Sequence, residues 1–203
     1  VKLGPWIQLT SGGGYEYETG VITGPFTMEG DIAHPLSLVA RYVGHTSVPW
    51  SVASHSVVVA RVLLRLKGPG YAARGLLHDA HEAILGDIPT PFARVLGRNG
   101  VNLHKSRAQA ALEEFLGVRE KFREGFSGEV EHAVEIADRA ALHAEKRLLM
   151  TPEPRAWEVP EVPPEWLRLA HEYTVKGLKS GAGFGDGACA WFKAEYDSLV
   201  LDD

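Results

Sequence analysis

The stretch Gly75–Asp87, GLLHDAHEAILGD, decides how the chain is read. Leu76, Leu77, Ile84 and Leu85 bracket His78, Asp79, His81 and Glu82 too closely for a plain solvated face. Gly86 supplies a C-terminal stop, so a helix is predicted over Tyr71–Leu85. On such a helix His78 and Glu82 stand at i,i+4 and Asp79 and Glu82 at i,i+3, which puts Glu82 beside both. Ionisable groups on an apolar helix are expensive unless they pair or hold a cation. The alternative is a charged solvent face with His78 and Asp79 as ordinary surface residues. A zinc-protease HExxH pattern is absent, because Asp79 stands where that pattern needs Glu.

Working outward, the flanking segments also read as helices. SVASHSVVVARVLL opens a helix over Ser51–Lys67, ending at Gly68, with His55 just before an apolar run. Asp31–Gly44 reads as helical, with Asp31 as N-cap and Pro35 near the first turn. The first thirty residues, with the Gly12–Gly14 run, read as a glycine-rich loop or short hairpin around Tyr15, Tyr17, Val21 and Ile22. Downstream, DIPTP at Asp87–Pro91 is expected to be non-helical, since each proline biases its predecessor away from the α region. Helical periodicity returns over Leu103–Leu116, stopped by Gly117, and over Glu129–Met150. After a Pro-rich connection, Thr151–Pro164, two more helices are expected, Glu165–Leu178 and Ala188–Val200. The expected fold is therefore all-α. It is one domain over residues 1–203, with a core of about 31–150 and a C-terminal helical extension of about 163–201. The aromatic stripe Trp191, Phe192 and Tyr196 fits either that core or the interface of a homo-oligomer.

The chain has 203 residues, 45% hydrophobic and 23% charged, which excludes a disordered chain. Its net charge of −5 argues against a non-specific nucleic-acid coat or a polybasic membrane anchor. No run approaches the ~18 apolar residues of a membrane helix. Cys189 is the lone cysteine, which excludes an internal disulfide and suits a reducing compartment. VKLGPWIQLT lacks the basic and long apolar regions of a secretory signal, so a cytoplasmic location is expected.

The long helix contains EIADRAALHAEKRLL, with Asp138 on the apolar stripe and Glu145 seven residues on, on the same face. Alone, Asp138 reads as a partner of Arg139, Lys146 or a buried arginine, and His55 as a hydrogen-bonded core histidine. Together, His55, His78, Asp79 and Asp138 make a set of two imidazoles and two carboxylates drawn from three helices. Such a set suits one borderline divalent ion such as Mn, Co, Zn or Fe. Four protein ligands leave room for water or substrate.

The order H…HD…D on helices resembles the HD-domain metal-dependent phosphohydrolases. SHS at Ser54–Ser56, LLHDAHEAILGDIPTP at Leu76–Pro91 and ADR…E at Ala137–Glu145 resemble their bacterial 5′-deoxynucleotidase branch more closely. Small phage deoxynucleoside triphosphate triphosphohydrolases are similar. The resemblance spans about Asp31–Met150 and implies an HD-type helical bundle. It implies that His55, His78, Asp79 and Asp138 hold the metal, Mg being a further choice of ion, with room for a second ion beside the substrate phosphates. It implies that Glu82 orients or deprotonates the attacking water, a role its position also suggests, and that Asp87 accepts the sugar 3′-hydroxyl. Arg41-Tyr42 is the counterpart of the family's phosphate- and sugar-contacting Arg-aromatic pair, departing from the usual Arg-Trp. Trp50 is the competing aromatic and reads as core. Lys105 and Arg107 read as solvated helix charges, or else as contacts to distal phosphates.

The expected activity is cleavage of a deoxynucleotide at its 5′-phosphate. Either a monophosphate yields deoxynucleoside and phosphate, or a triphosphate yields deoxynucleoside and triphosphate. One alternative is a phosphodiesterase or pyrophosphohydrolase acting on a cyclic nucleotide or guanosine tetraphosphate. The other is a non-catalytic metal- or nucleotide-binding helical module. The expected partners are a deoxynucleotide substrate and further copies of the chain, a dimer or higher, with no membrane and no stable nucleic-acid complex.

Overall fold

The computed structural model describes residues 4–118, 128–155, 157 and 159–201. Residues 119–127, inside the core region read from the sequence, lie outside that description. The fold is built on helices, as the apolar periodicity predicts. Its centre is α1 (Val52–Leu66), in which every residue from 52 to 60 is buried. A helix that is apolar all round must be wrapped by other elements, and α1 is. It packs against α2 (Pro69–Leu76), α6 (Gly128–Leu149), α7 (Pro164–Lys179) and α8 (Gly185–Tyr196). Gly75 lets α2 approach closely, since a Cβ there would meet Leu63 Cδ1 at 2.3 Å.

Ser51 caps α1 by accepting from Ser54 N at 3.2 Å. The same end is tied to the glycine-rich loop before α8, where Ser51 N donates to Gly183 O at 2.8 Å and Ser54 Oγ to Ala182 O at 2.6 Å. The C-terminal helices thus share one hydrophobic cluster with the central ones. Phe192 and Tyr196 are buried and Trp191 packs against that cluster, so the aromatic stripe is core.

Three expectations change. The helix read over Tyr71–Leu85 is two helices, α2 and a short α3 (Glu82–Leu85), separated by a turn. The segment read as one helix over Asp31–Gly44 is a π-type turn, Glu29–Ala33, running into a short helix, His34–Leu38, with a separate tight turn at Arg41–Gly44. Asp31 is not its N-cap: Thr27 Oγ1 accepts from Gly30 N at 3.1 Å, while Asp31 Oδ2 accepts from Thr27 N at 2.6 Å. Lastly, Thr90 and Pro91 start α4 (Thr90–Leu96), because a proline in a first turn removes no hydrogen bond. It leads into α5 (Arg98–Phe115), which begins five residues earlier than the periodicity suggests.

The N-terminal segment forms a small antiparallel sheet of β1 (Trp6–Gln8), β2 (Gly14–Glu16) and β3 (Ile22–Thr23), in that order. Tyr15 on β2 faces Ile7 and Ile22 across the two ladders and is buried. Arg107 on α5 pins this segment by donating to the carbonyls of Tyr17 and Glu18, so it is engaged in the fold rather than free for distal phosphates. No helix among the described residues is long and apolar enough to cross a membrane.

Candidate metal centre

The break between α2 and α3 presents the HD pair. Leu77–His81 turns back on itself through Ala80 N to Leu77 O (3.1 Å) and Glu82 N to Asp79 O (2.9 Å). Gln109, arriving from α5, clamps the turn. Its Nε2 donates to Leu77 O at 2.7 Å and to Glu113 at 2.8 Å, while its Oε1 accepts from His81 N at 3.1 Å. The sequence reading missed Gln109, whose only local signal is its i,i+4 pairing with Glu113.

The structure brings His55, His78 and Asp138 together, with one potential ligand atom from each lying within 4.8 Å of the others. Asp79 adjoins them, its Oδ2 3.2 Å from His78 Nε2. Asp79, His81 and Glu82 form a second such group. The ring nitrogens are set as a metal site needs them. His78 Nδ1 lies 2.7 Å from the Gly75 carbonyl and His55 Nδ1 lies 2.7 Å from Glu145 Oε1, which leaves both Nε2 atoms facing the cluster. His55 Nε2 is 3.0 Å from Asp138 Oδ1 without hydrogen-bond alignment, and both Nε2 atoms are buried without a hydrogen-bond partner. Buried orphaned nitrogens converging on carboxylates fit a divalent cation.

The electrostatics agree. Burial and the Arg41 charge oppose the His55 imidazolium, but Glu145 and Asp138 outweigh them and raise its pKa to about 10. A cation held at Nε2 would take the place of that proton. Burial disfavours ionised Asp79 and Asp138, yet the adjacent imidazoles hold both below the usual carboxylate range, Asp79 well below. Burial pushes His81 down to about 4.

Glu145 is the anchor that spacing hinted at without assigning a role. It is fully buried and accepts from His55, from Trp50 Nε1 at 2.9 Å and from Tyr42 OH at 2.7 Å, with Arg41 Nη2 3.5 Å away. Burial alone would raise its pKa, but His55 and Arg41 bring it down to about 2. Trp50 is core, as read, and also a donor to this carboxylate. Every group facing Glu145 is a donor, so Glu145→Gln sets an amide N–H₂ against them. The expected result is a loss of about 10- to 100-fold in divalent-metal affinity, measured by titration against a competing chelator. Unchanged affinity would mean that the carboxylate does not orient His55.

Arg41 and Tyr42 do reach the cluster. They stand on a tight turn where Tyr42 (φ 56°) and Val43 (φ 55°) are both left-handed, a conformation that concentrates at functional sites. The turn is braced at its base by Arg41 N to Trp50 O at 2.9 Å. Arg41 is largely withdrawn from water, which opposes its charge, but Glu145, Tyr42, Asp87 and Asp138 hold it firmly protonated. Asp87 is half-buried, just past Gly86 (φ 73°), and its charge acts on both Arg41 and Glu82. Glu82 is buried with Oε2 unpartnered and Oε1 3.5 Å from Lys105 Nζ. Lys105 is therefore part of this cluster rather than a solvated helix charge. Burial, then Asp79 and Asp87, push the Glu82 carboxyl well above the usual range. A carboxyl so perturbed beside a metal-type cluster is suited to moving a proton.

The fold and the cluster define a helical protein with His/Asp/Glu groups, some buried and some half-buried, that could hold a metal ion. No family model matches the chain. It is 32% identical over 155 residues to the uncharacterized protein YfdR of Escherichia coli, covering 76% of this chain and 77% of that one. The chain belongs to the YfdR family. It is also 43% identical over 79 residues to the uncharacterized protein RCAP_rcc00048 of Rhodobacter capsulatus, a match covering 36% of this chain and 40% of the length of that protein.

Proposed function

We propose that the protein is a divalent-metal-dependent phosphohydrolase of the HD class, cleaving deoxynucleotides at the 5′-phosphate. The observation that carries this reading is the pair of buried, orphaned Nε2 atoms of His55 and His78 facing Asp138, with Asp79 and Glu82 beside them. A metal held there supplies Lewis-acid polarisation of the phosphate and acidifies a bound water. Glu82 accepts the proton from the attacking water. Arg41 offsets phosphate charge, its guanidinium held in place by Glu145. Trp50 and Tyr42 keep Glu145 fixed, so the His55 ring does not have to reorganise as charge develops.

The test is product chromatography on deoxynucleoside mono- and triphosphates with Mn, Co, Mg and Zn in turn. Release of phosphate or of intact triphosphate supports the proposal and decides between the two substrates. Turnover confined to cyclic nucleotides or guanosine tetraphosphate, or metal binding without any turnover, overturns it.

Asp87 carries the sugar contact in this reading. It follows Gly86, precedes Pro89 and acts electrostatically on both Arg41 and Glu82, so it would accept from a substrate 3′-hydroxyl. A charged acceptor closed off from water by bound substrate and left without its donor is penalised by about 1–3 kcal/mol or more, so 2′,3′-dideoxy substrates should lose roughly tenfold to several hundredfold in kcat/KM. Asp87→Ala should erase most of that difference. Equal rates on deoxy and dideoxy substrates would remove Asp87 from the sugar site.

A further inference from the structure

Helix α6 carries a second chemically distinct face. Asp138 and Glu145 point into the metal-type cluster, whereas His143, Lys146 and Arg147 lie roughly 100–200° around the helix from Glu145, at about 100° per residue. There they line a cavity of about 890 Å³ together with Arg168 and His171 of α7 and one carboxylate, Glu153. Three permanent cations and two imidazoles against a single acid is a local reversal of a chain whose net charge is −5.

These cations are only partly neutralised. Lys146 Nζ reaches Glu153 at 2.6 Å and stacks over Trp157 at 5.3 Å. Arg168 makes one exposed pair with Glu172 at 3.3 Å. Arg147 is exposed and has no ion-pair or hydrogen-bond partner among the described residues. Pro164, the first residue of α7, also lines the cavity, so the positive end of a 16-residue helix adds to the same field. Met150 and Leu167 supply an apolar wall.

From this we infer a second ligand site, on the side of α6 turned away from the metal-type cluster, that binds a multiply phosphorylated anion. Neighbouring guanidinium and ammonium groups match a chain of phosphates better than a single carboxylate. The apolar wall leaves room for the organic part of a nucleotide. The inference does not depend on the proposed hydrolysis, because none of these side chains belongs to the cluster.

The experiment is calorimetric titration of the full chain with inorganic tripolyphosphate, then with a nucleoside triphosphate, in wild type, Arg147→Glu/Arg168→Glu and Asp138→Ala. Tripolyphosphate should bind wild type and Asp138→Ala alike, and weaken by roughly tenfold or more in the charge-reversed protein. Both replaced arginines are exposed, so folding should survive, as circular dichroism would check. Arg147→Gln/Arg168→Gln should give a smaller loss in the same direction. Tighter binding of the nucleoside triphosphate assigns the site to nucleotides, and equal binding assigns it to inorganic polyphosphate. The inference is overturned if binding follows Asp138→Ala instead, or if wild type binds neither anion.

Discussion

Asp79→Ala and His78→Ala, each made singly, are expected to lose the bound divalent ion and all measurable phosphohydrolase turnover together. The structure explains why the two losses should coincide. His78 Nε2 and Asp79 Oδ2 lie 3.2 Å apart on one tight turn, and the imidazoles beside Asp79 keep its carboxylate ionised despite burial. Removing either side chain would take out one of the four proposed donors. With Asp79→Ala, the cluster also loses a full negative charge that would attract the cation. Affinity should fall beyond the ~10- to 100-fold typical of replacing a residue that merely orients a ligand, as at Glu145. Elemental analysis after gel filtration, run beside the activity assay, checks it. Full metal content in both variants would show that the ligand set is wrong, whatever happens to turnover.

How much of this centre was legible in the sequence follows from where its information lies. His55, Asp138 and Glu145 sit on long, strongly periodic helices, so their faces could be read from spacing alone. The HD turn could not. After Leu76, the stretch LHDAHEAIL holds no glycine or proline that would end α2 there. The break is held by Gln109, which satisfies Leu77 O and His81 N from about thirty residues downstream. Local periodicity therefore predicted a continuous helix, and tertiary hydrogen bonding overrode it. Glu145 shows the complementary limit. Its face was legible, but its partners Tyr42 and Trp50 are about a hundred residues away on irregular backbone, where no period exists. Arg107 differs again, since an exposed-looking helical arginine gives no sign that two backbone carbonyls are waiting for it.

Glu82→Gln should separate chemistry from metal binding. The substitution keeps the volume of the side chain and removes its charge and its capacity to take a proton. Glu82 Oε2 is buried without a hydrogen-bond partner, and burial together with Asp79 and Asp87 pushes the carboxyl well above the usual range. Burial without a hydrogen-bond partner penalises the ionised form of Glu82, so a neutral amide should be tolerated without loss of stability. If the carboxylate removes the proton from the attacking water, kcat should drop by about 10²-fold or more while KM changes little. Metal stoichiometry should stay at the wild-type value if, as proposed, His55, His78, Asp79 and Asp138 supply the donors. Lys105→Ala offers an independent check through the same carboxyl. Its ammonium, 3.5 Å from Glu82 Oε1, is one of the charges that stabilise the ionised form. Removing it should raise the carboxyl pKa further, moving the acid limb of the rate profile to higher pH in Lys105→Ala and leaving no such limb to move in Glu82→Gln/Lys105→Ala. Parallel loss of metal and turnover in Glu82→Gln would instead make Glu82 a ligand, and the proton acceptor would have to be sought elsewhere in the cluster.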